Sequence, residues 1–468
     1  MSSIELKLYN SRTKYTEKFI HNLDIPINIY TCGPTVYDRV HIGNLKTFLW
    51  SDFIICYLQE IGYKTNHIIN ITDIDDKIIN KIEKQNIECL LNFTQYYTDL
   101  FLQDIENIGI RSYTKNNIHK VTDNIKPIVE MIKKLLDTDY AYRITNGDIY
   151  FDTSKIKKYP FPDYQIERLN SQEEYFSDRT ILRSEEIKSK NDFVLWKNKK
   201  KDKIYWKTEI GEGCVSWNTE CTGIFLKHLG NVDINFGGCD LTFPHHTNSI
   251  ILAESVRPNG LYGKYSLHSG FLNFSDVKMS KSLGNTLKLI DIKQNYFLLR
   301  WYFLSKSYRM TFEFSNEELE KCKTDFINLH LLYNKLILGF QRDNIKNNHP
   351  LTDTMIYNEL LNIIANDFNT KDALKILSKY VNKMLKVYMD KETAENVLNE
   401  LKKVNQLFNL LDKKLLYVEN SILDFINERD ELIKKKQFQI TDIMRKELQE
   451  KYIFEDEKTG YLIINKIN

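Results

Sequence analysis

Apolar runs of two lengths alternate over the first 120 or so residues and predict alternating strands and helices. INIYT (27–31) and NHIINIT (66–72) are short and β-rich, whereas LKTFLWSDFIICYL (45–58) is long and apolar enough for a buried helix. DKIINKIEKQN (76–86) then opens another helix. Because parallel strands need a crossover helix between them, this order predicts an α/β fold with a parallel sheet and right-handed crossovers. That domain's first half is predicted over 1–120.

The pattern becomes less regular over residues 121–205, which we predict to be a subdomain inserted into the α/β domain. The α/β pattern resumes over 206–265. Within the insertion, AYRITNGDIYFDTS carries the turn dipeptide Asn146-Gly147 between alternating strands, which predicts a hairpin. The lysine-rich WKNKKKDK (196–203) is either a phosphate-binding patch or a solvated turn, and the second interpretation is favoured.

Beyond residue 265 the chain is mainly helical. A segment over 266–315 contains the loop SDVKMSKSLGNT, and helices are predicted over 316–412. Ser315 with Glu318 three residues later is a capping-box pattern. The next apolar positions recur at three- and four-residue steps, which predicts one buried stripe. They are Leu319, Cys322, Phe326, Leu329, Tyr333 and Leu336. A small separate domain with a β-rich tail is predicted over 413–468.

Composition places the chain among ordinary globular proteins. Of its 468 residues, 42% are hydrophobic and 27% are charged, and the net charge is +2. We see no apolar stretch of membrane-spanning length and no signal-peptide core, so we expect no membrane partner and a cytosolic address. The seven cysteines are an odd number and scattered, which argues against a disulfide framework. Most of them are expected to be buried apolar side chains.

Two short motifs suggest phosphate chemistry. HIGN (41–44) lies between a predicted strand and a helix, where backbone N–H groups at the helix N-terminus would face a phosphate. His41 can donate to an oxyanion, and Gly43 permits close approach of a ring. KMSKSLGN (278–285) is a cationic loop able to fold over a triphosphate and stabilise a leaving pyrophosphate. Each motif alone has an ordinary interpretation, as a turn or a solvated loop.

Together, HIGN and KMSKS resemble the paired signatures of class I aminoacyl-tRNA synthetases, which make an aminoacyl-adenylate on a Rossmann-type fold. KMSKS matches the family consensus in full, while Asn44 stands where the family generally has a second histidine. Asn44 keeps a donor for a phosphate or ribose oxygen. The resemblance implies a Rossmann-type catalytic domain with an inserted subdomain, then an α-helical anticodon-binding bundle and a small C-terminal domain.

Further blocks resemble cysteinyl-tRNA synthetases, in their order and at their approximate spacing. They are IYTCGPTVYD (29–38), NITDIDDKI (70–78), DFVLWK (192–197), WNTEC (217–221), GGCDLTFPHH (237–246), HSGF (268–271) and DFNTKDAL (367–374). The resemblance implies a monomeric ligase that activates cysteine with ATP, accompanied by Mg²⁺, to cysteinyl-adenylate. The cysteinyl group then passes to the 3′-terminal adenosine of tRNA(Cys).

In that family a zinc ion binds the substrate thiolate through two protein cysteines, a histidine and a glutamate. Cys32, Cys221 and His245 match the first three ligands, and His246 is expected to pack or hydrogen-bond nearby. Thiolate is a soft ligand that Zn²⁺ prefers to an alcohol, so coordination would select cysteine over serine without an editing domain.

Ser249 occupies the place of the family's glutamate ligand. Three explanations are open. The zinc keeps three protein ligands and open positions, or a neighbour such as Cys239 substitutes, or the metal is weak or absent. The first is favoured because the other motif residues are intact.

The same match assigns the remaining site residues to parts of the substrates. They are Gly33, Thr72 and Trp217 for cysteine, His41 and Asn44 for the ATP phosphates, Lys278 and Lys281 for the departing pyrophosphate, and Gly237, Gly238 and Asp240 for the adenosine. Two alternative functions remain open. The chain could join cysteine to a non-tRNA amine, but the relative that does so lacks the full helical region found here. It could also be a degenerate RNA-binding paralogue, and Ser249 is the only feature that supports this.

Overall fold

The structure is a computed structural model that describes residues 4–85, 89–156, 160–161, 185–189, 191–198, 204–274, 277–278, 286–341, 355–387, 389–411, 420–457 and 460–465. The chain divides into two compact units. The N-terminal unit comprises Leu6–Leu289 and Tyr308–Glu313, and the C-terminal unit comprises Met1–Glu5, Ile290–Ser307 and Phe314–Asn468. No helix in the described ranges combines the length and hydropathy that a membrane span requires.

The N-terminal unit is a mixed α/β structure. Its described strands are β1 Lys7–Asn10, β2 Tyr15–Lys18, β3 Ile27–Thr31, β4 Thr65–Ile71, β5 Ile118–Lys120, β6 Ala141–Arg143, β7 Ile149–Phe151, β8 Phe193–Lys197, β9 Trp206–Thr208, β10 Gly211–Val215, β11 Val232–Gly238, β12 Tyr262–Ser269, β13 Leu272–Phe274, β14 Val277–Lys278 and β15 Phe312–Glu313. Its helices of eight or more residues are α1 Ile42–Glu60, α2 Asp76–Lys84, α3 Leu90–Asn107, α4 Ile125–Asp137, α5 Trp217–His228 and α6 Thr247–Val256.

A parallel sheet organises this unit. Its strands lie in the order β12-β11-β3-β4-β5, and every neighbouring pair is parallel. The predicted parallel α/β sheet is therefore confirmed. The strand predicted over 27–31 has those bounds, and the helix predicted over 45–58 extends at both ends as α1. Because α1 is buried on nearly all sides, its apolar composition predicts the helix better than a periodic hydrophobic pattern does.

A second, antiparallel sheet holds the predicted hairpin. Its order is β6-β7-β8-β10-β9, and β6 pairs with β7 across the Asn146-Gly147 turn, with Gly147 at a φ of 95°. The hairpin prediction is thus confirmed. This sheet includes β9 and β10, which lie beyond residue 205, and the parallel sheet resumes with β11. The division of the chain into six segments stays a prediction. Residues 199–203 of the lysine-rich stretch lie outside the described residues.

The C-terminal unit is mainly helical. Its described elements are α7 Tyr296–Leu304, α8 Asn316–Gln341, α9 Tyr357–Ile364, α10 Thr370–Lys386, α11 Lys391–Phe408, α12 Asn420–Lys434, α13 Phe438–Lys451, β16 Tyr452–Glu457 and β17 Gly460–Asn465. The Ser315 hydroxyl accepts from the Glu318 N–H at 3.3 Å, as the capping pattern predicts. The predicted stripe of α8 is buried at Leu319, Phe326, Leu329 and Leu336, and half-buried at Cys322 and Tyr333.

The cysteines correct one expectation. All seven are free thiols, so no described pair is a disulfide. Cys32, Cys214 and Cys221 are buried, whereas the other four are half-buried, and the prediction of burial for most of them is wrong. Cys322 is one of these four, at the edge of its stripe. A small soft side chain tolerates partial exposure, so burial does not follow from residue type.

Candidate active site

A cavity of about 350 Å³ opens where the parallel strands end. In open α/β sheets, the crevice beyond the carboxyl ends of the strands is the usual binding site. Eight of the predicted site residues line it, drawn from the turns after β3, β4 and β11 and from the first turns of α1 and α5. They are Cys32, Gly33, His41, Asn44, Thr72, Trp217, Gly238 and Asp240.

Three buried side chains converge beside this cavity. Cys32 follows β3, Cys221 lies on α5, and His245 precedes α6. The two sulfurs are 3.6 Å apart, and Nε2 of His245 lies 3.4 Å from the Cys32 sulfur and 3.0 Å from the Cys221 sulfur. Among the described residues they form one compact set of potential metal ligands.

This set fits zinc. Bonds of about 2.3 Å to sulfur and about 2.0 Å to nitrogen give tetrahedral edges of about 3.8 Å between two sulfurs and about 3.5 Å between sulfur and nitrogen. The Cys32 to Cys221 and Cys32 to His245 distances lie close to these values, and the Cys221 to His245 distance is shorter. Two thiolates and an imidazole are also the donors that Zn²⁺ prefers. Cys239, the proposed substitute, does not belong to the compact set.

The electrostatics of the set favour a thiolate at Cys221. Burial opposes its ionisation, but hydrogen bonds from Cys32 and His245 together with the imidazole charge hold the pKa of Cys221 well below its usual range. The hydrogen bond to Cys221, followed by burial, raises the pKa of Cys32 well above normal. A metal ion binds thiolate and not thiol, so a divalent ion at this set would displace any proton held by the two sulfurs.

Aromatic and backbone contacts shape the cavity wall next to the set. The Trp217 ring stacks on His245 with centroids 4.5 Å apart and planes 12° from parallel. At Gly33 a β-carbon would lie 1.7 Å from the backbone oxygen of Asn70, so only glycine fits there. Glycine at position 33 thus has a steric cause, namely the adjacent strand β4.

A hydrogen-bond chain sets the orientation of Thr72. The Asn70 Oδ1 accepts from the Tyr30 hydroxyl at 2.8 Å and from the Gly33 N–H at 2.7 Å. Its amide nitrogen is therefore left to donate to the Thr72 Oγ1 at 3.0 Å, and Thr72 donates to Glu220 Oε2 at 3.2 Å. Glu220 is fully buried, and burial raises its pKa well above normal. A remaining lone pair of Thr72 can accept from a substrate donor.

At the other end of the cavity, HIGN begins α1. His41 is the N-cap, and its Nδ1 accepts from the Asn44 N–H at 3.3 Å. Since Nδ1 is an acceptor in the neutral ring, Nε2 carries the proton and is a donor. The turn is tight at Gly43, because a β-carbon there would lie only 2.9 Å from the His41 ring. The N–H groups of Ile42 and Asn44 already donate to the Leu287 and His41 carbonyls, so at this helix start the His41 ring is the donor that could face an anion.

The KMSKS lysines are only partly described. Lys278 ends β14, which pairs with β13, and Asn273 lies opposite Lys278 in that pairing. Lys281 lies outside the described residues. Downstream of the motif, Lys288 bridges to His41, so the chain leaving KMSKS lies against the HIGN turn.

The remaining predicted positions lie on the β11 side. Gly238 and Asp240 line the cavity, whereas Gly237 lies behind it, where a β-carbon would lie 2.6 Å from the His246 ring. His246 is buried and its Nδ1 is 2.8 Å from Nε2 of His268, which confirms that it hydrogen-bonds nearby. Ser249 is buried one turn after His245, and its Oγ has no hydrogen-bond partner within the described part of the chain.

Comparison with known proteins agrees with this geometry. Residues 19–324 match the family model of the class I (C) tRNA synthetase catalytic domain. A cysteine–tRNA ligase of Clostridioides difficile (strain 630) is 35% identical, covering 97% of this chain and 99% of the relative. This chain belongs to the cysteine–tRNA ligase family. A cysteine–tRNA ligase of Methanococcus vannielii is 33% identical over 99% of this chain and 100% of its own length.

Solved structures agree with the class I aminoacyl-tRNA synthetase fold. Mycobacterium tuberculosis methionyl-tRNA synthetase in complex with methionyl-adenylate superposes with a TM-score of 0.56 at 13% identity, covering 82% of this chain and 90% of that one. A putative arginyl-tRNA synthetase from Campylobacter jejuni gives a TM-score of 0.51 at 13% identity, covering 82% and 92%. The Rossmann-type parallel sheet is therefore the family's fold in this chain.

Several site residues of this family member went unassigned from sequence. Asn70 and Glu220 stand inside the quoted blocks NITDIDDKI and WNTEC, but the pattern itself gave them no role. Tyr37 and Lys77 line the cavity from a turn and a helix start that carried no separate signal. Lys46 is the lone lysine in the mainly apolar helix α1, and the sequence pattern gave it no role.

Proposed function

We propose that the chain joins cysteine to tRNA(Cys) at the expense of ATP. In the first step a carboxylate oxygen of cysteine attacks the α-phosphorus of ATP, and pyrophosphate leaves. In the second, a hydroxyl of the 3′-terminal adenosine attacks the adenylate carbonyl, and AMP leaves. The observation that carries this proposal is that the Cys32–Cys221–His245 set adjoins the cavity into which the HIGN helix start points.

At the cysteine end, Cys32, Cys221 and His245 would hold Zn²⁺ as three protein ligands. A bound zinc ion would supply an open position for the substrate thiolate, and that position disfavours an alcohol. The stacked Trp217 fixes the His245 ring, and Thr72 offers an acceptor for the substrate ammonium. Serine would then be rejected by its hydroxyl and not by its size.

At the phosphate end, the chain's contribution is positioning and charge. No side-chain nucleophile is needed, because the substrate carboxylate attacks in line. The His41 Nε2–H and the Asn44 amide would contact ATP phosphates, while Lys278 and Lys281 would stabilise the charge on pyrophosphate. Gly237, Gly238 and Asp240 would shape the adenosine side, with Mg²⁺ entering bound to ATP.

Partners and address follow from the same proposal. We infer tRNA(Cys), ATP and L-cysteine as partners, with the helical C-terminal unit as the anticodon-binding region. A monomeric state and a cytosolic address stay predictions.

Exchange of radiolabelled pyrophosphate into ATP tests the proposal. We expect exchange that requires cysteine, and Lys281→Ala should abolish it because the developing charge loses its counter-ion, with a loss on the order of 100-fold or more. Lys133→Ala is the matched control, since Lys133 is half-exposed and paired to Glu209 on the surface. Absence of exchange in zinc-supplied wild type would refute the ligase proposal.

The alternatives separate in the second step. Charging of tRNA with cysteine distinguishes the ligase from a relative that uses a small amine acceptor. A degenerate RNA-binding paralogue would bind tRNA and perform no exchange. Serine accepted as readily as cysteine would contradict selection by thiolate coordination.

A further inference from the structure

Lys46 is a fully buried lysine on the second turn of α1, and the proposed mechanism gives it no task. Its Nζ donates to the Ser269 Oγ at 3.1 Å and to the Gly270 carbonyl at 2.7 Å, with a longer contact of 3.5 Å to the Tyr308 carbonyl. The ring of Phe312 lies 5.1 Å from the same atom. Three N–H donors thus meet three uncharged acceptors.

Such a site is costly for a cation. Burial lowers the pKa of Lys46 to about 7. A lysine is ordinarily excluded from a protein core unless its donors are all used, and a methionine of similar length would carry no desolvation cost. The hydrogen bonds of Nζ offset part of this cost, and they join α1 to segments that are distant in sequence.

The acceptors identify those segments. Ser269 and Gly270 line the cavity, and the chain continues directly into β13, the partner of the strand β14 that leads into KMSKS. Gly270 is itself tightly held, since a β-carbon there would lie 2.5 Å from the Arg309 carbonyl. On the other side, α1 begins with HIGN, one turn before Lys46.

We propose that Lys46 is a positioning residue that ties the HIGN helix to the turn and strand pair carrying KMSKS, and so sets the spacing of the two ATP-contacting segments. This inference rests on the proposed function. It assigns Lys46 to ATP and not to cysteine, because its partners lie on the β12–β13 side of the cavity, whereas the zinc ligands come from β3, α5 and the start of α6.

Steady-state exchange kinetics of Lys46→Met test the assignment. The KM for ATP should rise, or kcat should fall, on the order of 10- to 100-fold. The reason is that a displaced ATP-contacting segment no longer aligns ATP for the reaction. The KM for cysteine and the bound zinc should stay within about twofold of wild type. Lys46→Arg, which keeps donors, should recover part of the loss, and Ser269→Ala, which removes one acceptor, should show a smaller loss of the same kind.

Arg300→Met is the matched control. Arg300 is also fully buried, and its Nε donates to the Phe408 carbonyl at 2.7 Å within the C-terminal unit. It should lower thermal stability without changing the ratio of the two KM values. If Lys46→Met does the same, or raises both KM values equally, Lys46 has only a structural role and the inference is overturned.

The two proposals fail in different ways. Wild type without exchange would refute the ligase proposal, while equilibrium dialysis of ATP would still decide the role of Lys46. Lys46→Met should then bind ATP more weakly than wild type by the same factor. Equal affinity would overturn the inference.

Discussion

The cysteine end and the phosphate end of the cavity are built in different ways. At the phosphate end, His41, Gly43 and Asn44 are neighbours in sequence, and one helix start presents them all. At the cysteine end, the proposed zinc ligands Cys32, Cys221 and His245 come from segments up to 213 residues apart. The first end needs a local turn, whereas the second needs the whole sheet and two packed helices.

Both ends also depart by one residue from the pattern of cysteinyl-tRNA synthetases, at Asn44 and at Ser249. The consequences differ. Asn44 replaces one hydrogen-bond donor with another, and its backbone N–H still caps against His41. Ser249 stands where the resemblance implies a charged ligand, and its hydroxyl has no described hydrogen-bond partner. A hydrogen-bonding site tolerates the exchange of one donor for another. At a metal site, losing a carboxylate changes both the charge and the number of the protein ligands.

The largest effect should follow from breaking the cysteine end. Cys221→Ser removes a thiolate ligand, so bound zinc should fall from about one per chain to a small fraction, and exchange should drop on the order of 100-fold or more. Metal analysis by mass spectrometry measures this directly. Cys214→Ser is the control, because Cys214 is buried outside the set and its replacement should leave the zinc in place. Equal zinc in wild type and Cys221→Ser would remove Cys221 from the ligands.

Effects of intermediate size should distinguish the two positions, Ser249 and Asn44, at which the chain differs from the pattern of cysteinyl-tRNA synthetases. Ser249→Glu places a carboxylate four residues after His245, in the first turn of α6, and should tighten zinc binding on the order of tenfold in a chelator competition. Asn44→His should alter the exchange rate by less than about threefold, since both side chains donate. Unchanged zinc affinity in Ser249→Glu would mean that residue 249 does not face the metal, and a large effect of Asn44→His would contradict the tolerance argued for the phosphate end.

The smallest effect concerns acid stability at His268 on β12, beside the cavity. Burial lowers the pKa of His268 to about 3, so the folded protein keeps this imidazole neutral while the unfolded chain protonates near pH 6.5. The unfolded state then binds more protons, and stability is lost as pH falls from about 6.5 toward 3. Between pH 7 and pH 5.5 this group should cost about 1 kcal/mol of unfolding free energy.

Urea unfolding at those two pH values measures the loss. His268→Asn should show less of it than wild type, although the contact to His246 is changed as well. His228→Asn, at an exposed histidine, should retain most of the wild-type pH dependence. An undiminished pH dependence in His268→Asn would show that another group causes the acid loss.

Much of the fold was predictable because its signals are local. The strand Ile27–Thr31, the Asn146-Gly147 hairpin and the Ser315 cap each follow from a few neighbouring residues. The extent of the antiparallel sheet could not be predicted in this way. Strands β9 and β10 join the sheet through pairing that no short stretch of sequence specifies. The half-burial of Cys322 likewise depends on what packs against the helix edge.

By itself, the sequence determined the order of strands and helices, the helix-start chemistry of HIGN and, through resemblance, the candidate ligands. Only the tertiary structure decided that Cys32, Cys221 and His245 meet within bonding distance of one cation, that Asn70 orients Thr72, and that Lys46 spans α1 and the Ser269–Gly270 turn. The reason is physical. A cap or turn is formed by neighbouring residues, whereas a coordination shell or a buried ammonium requires distances set by the packing of distant segments.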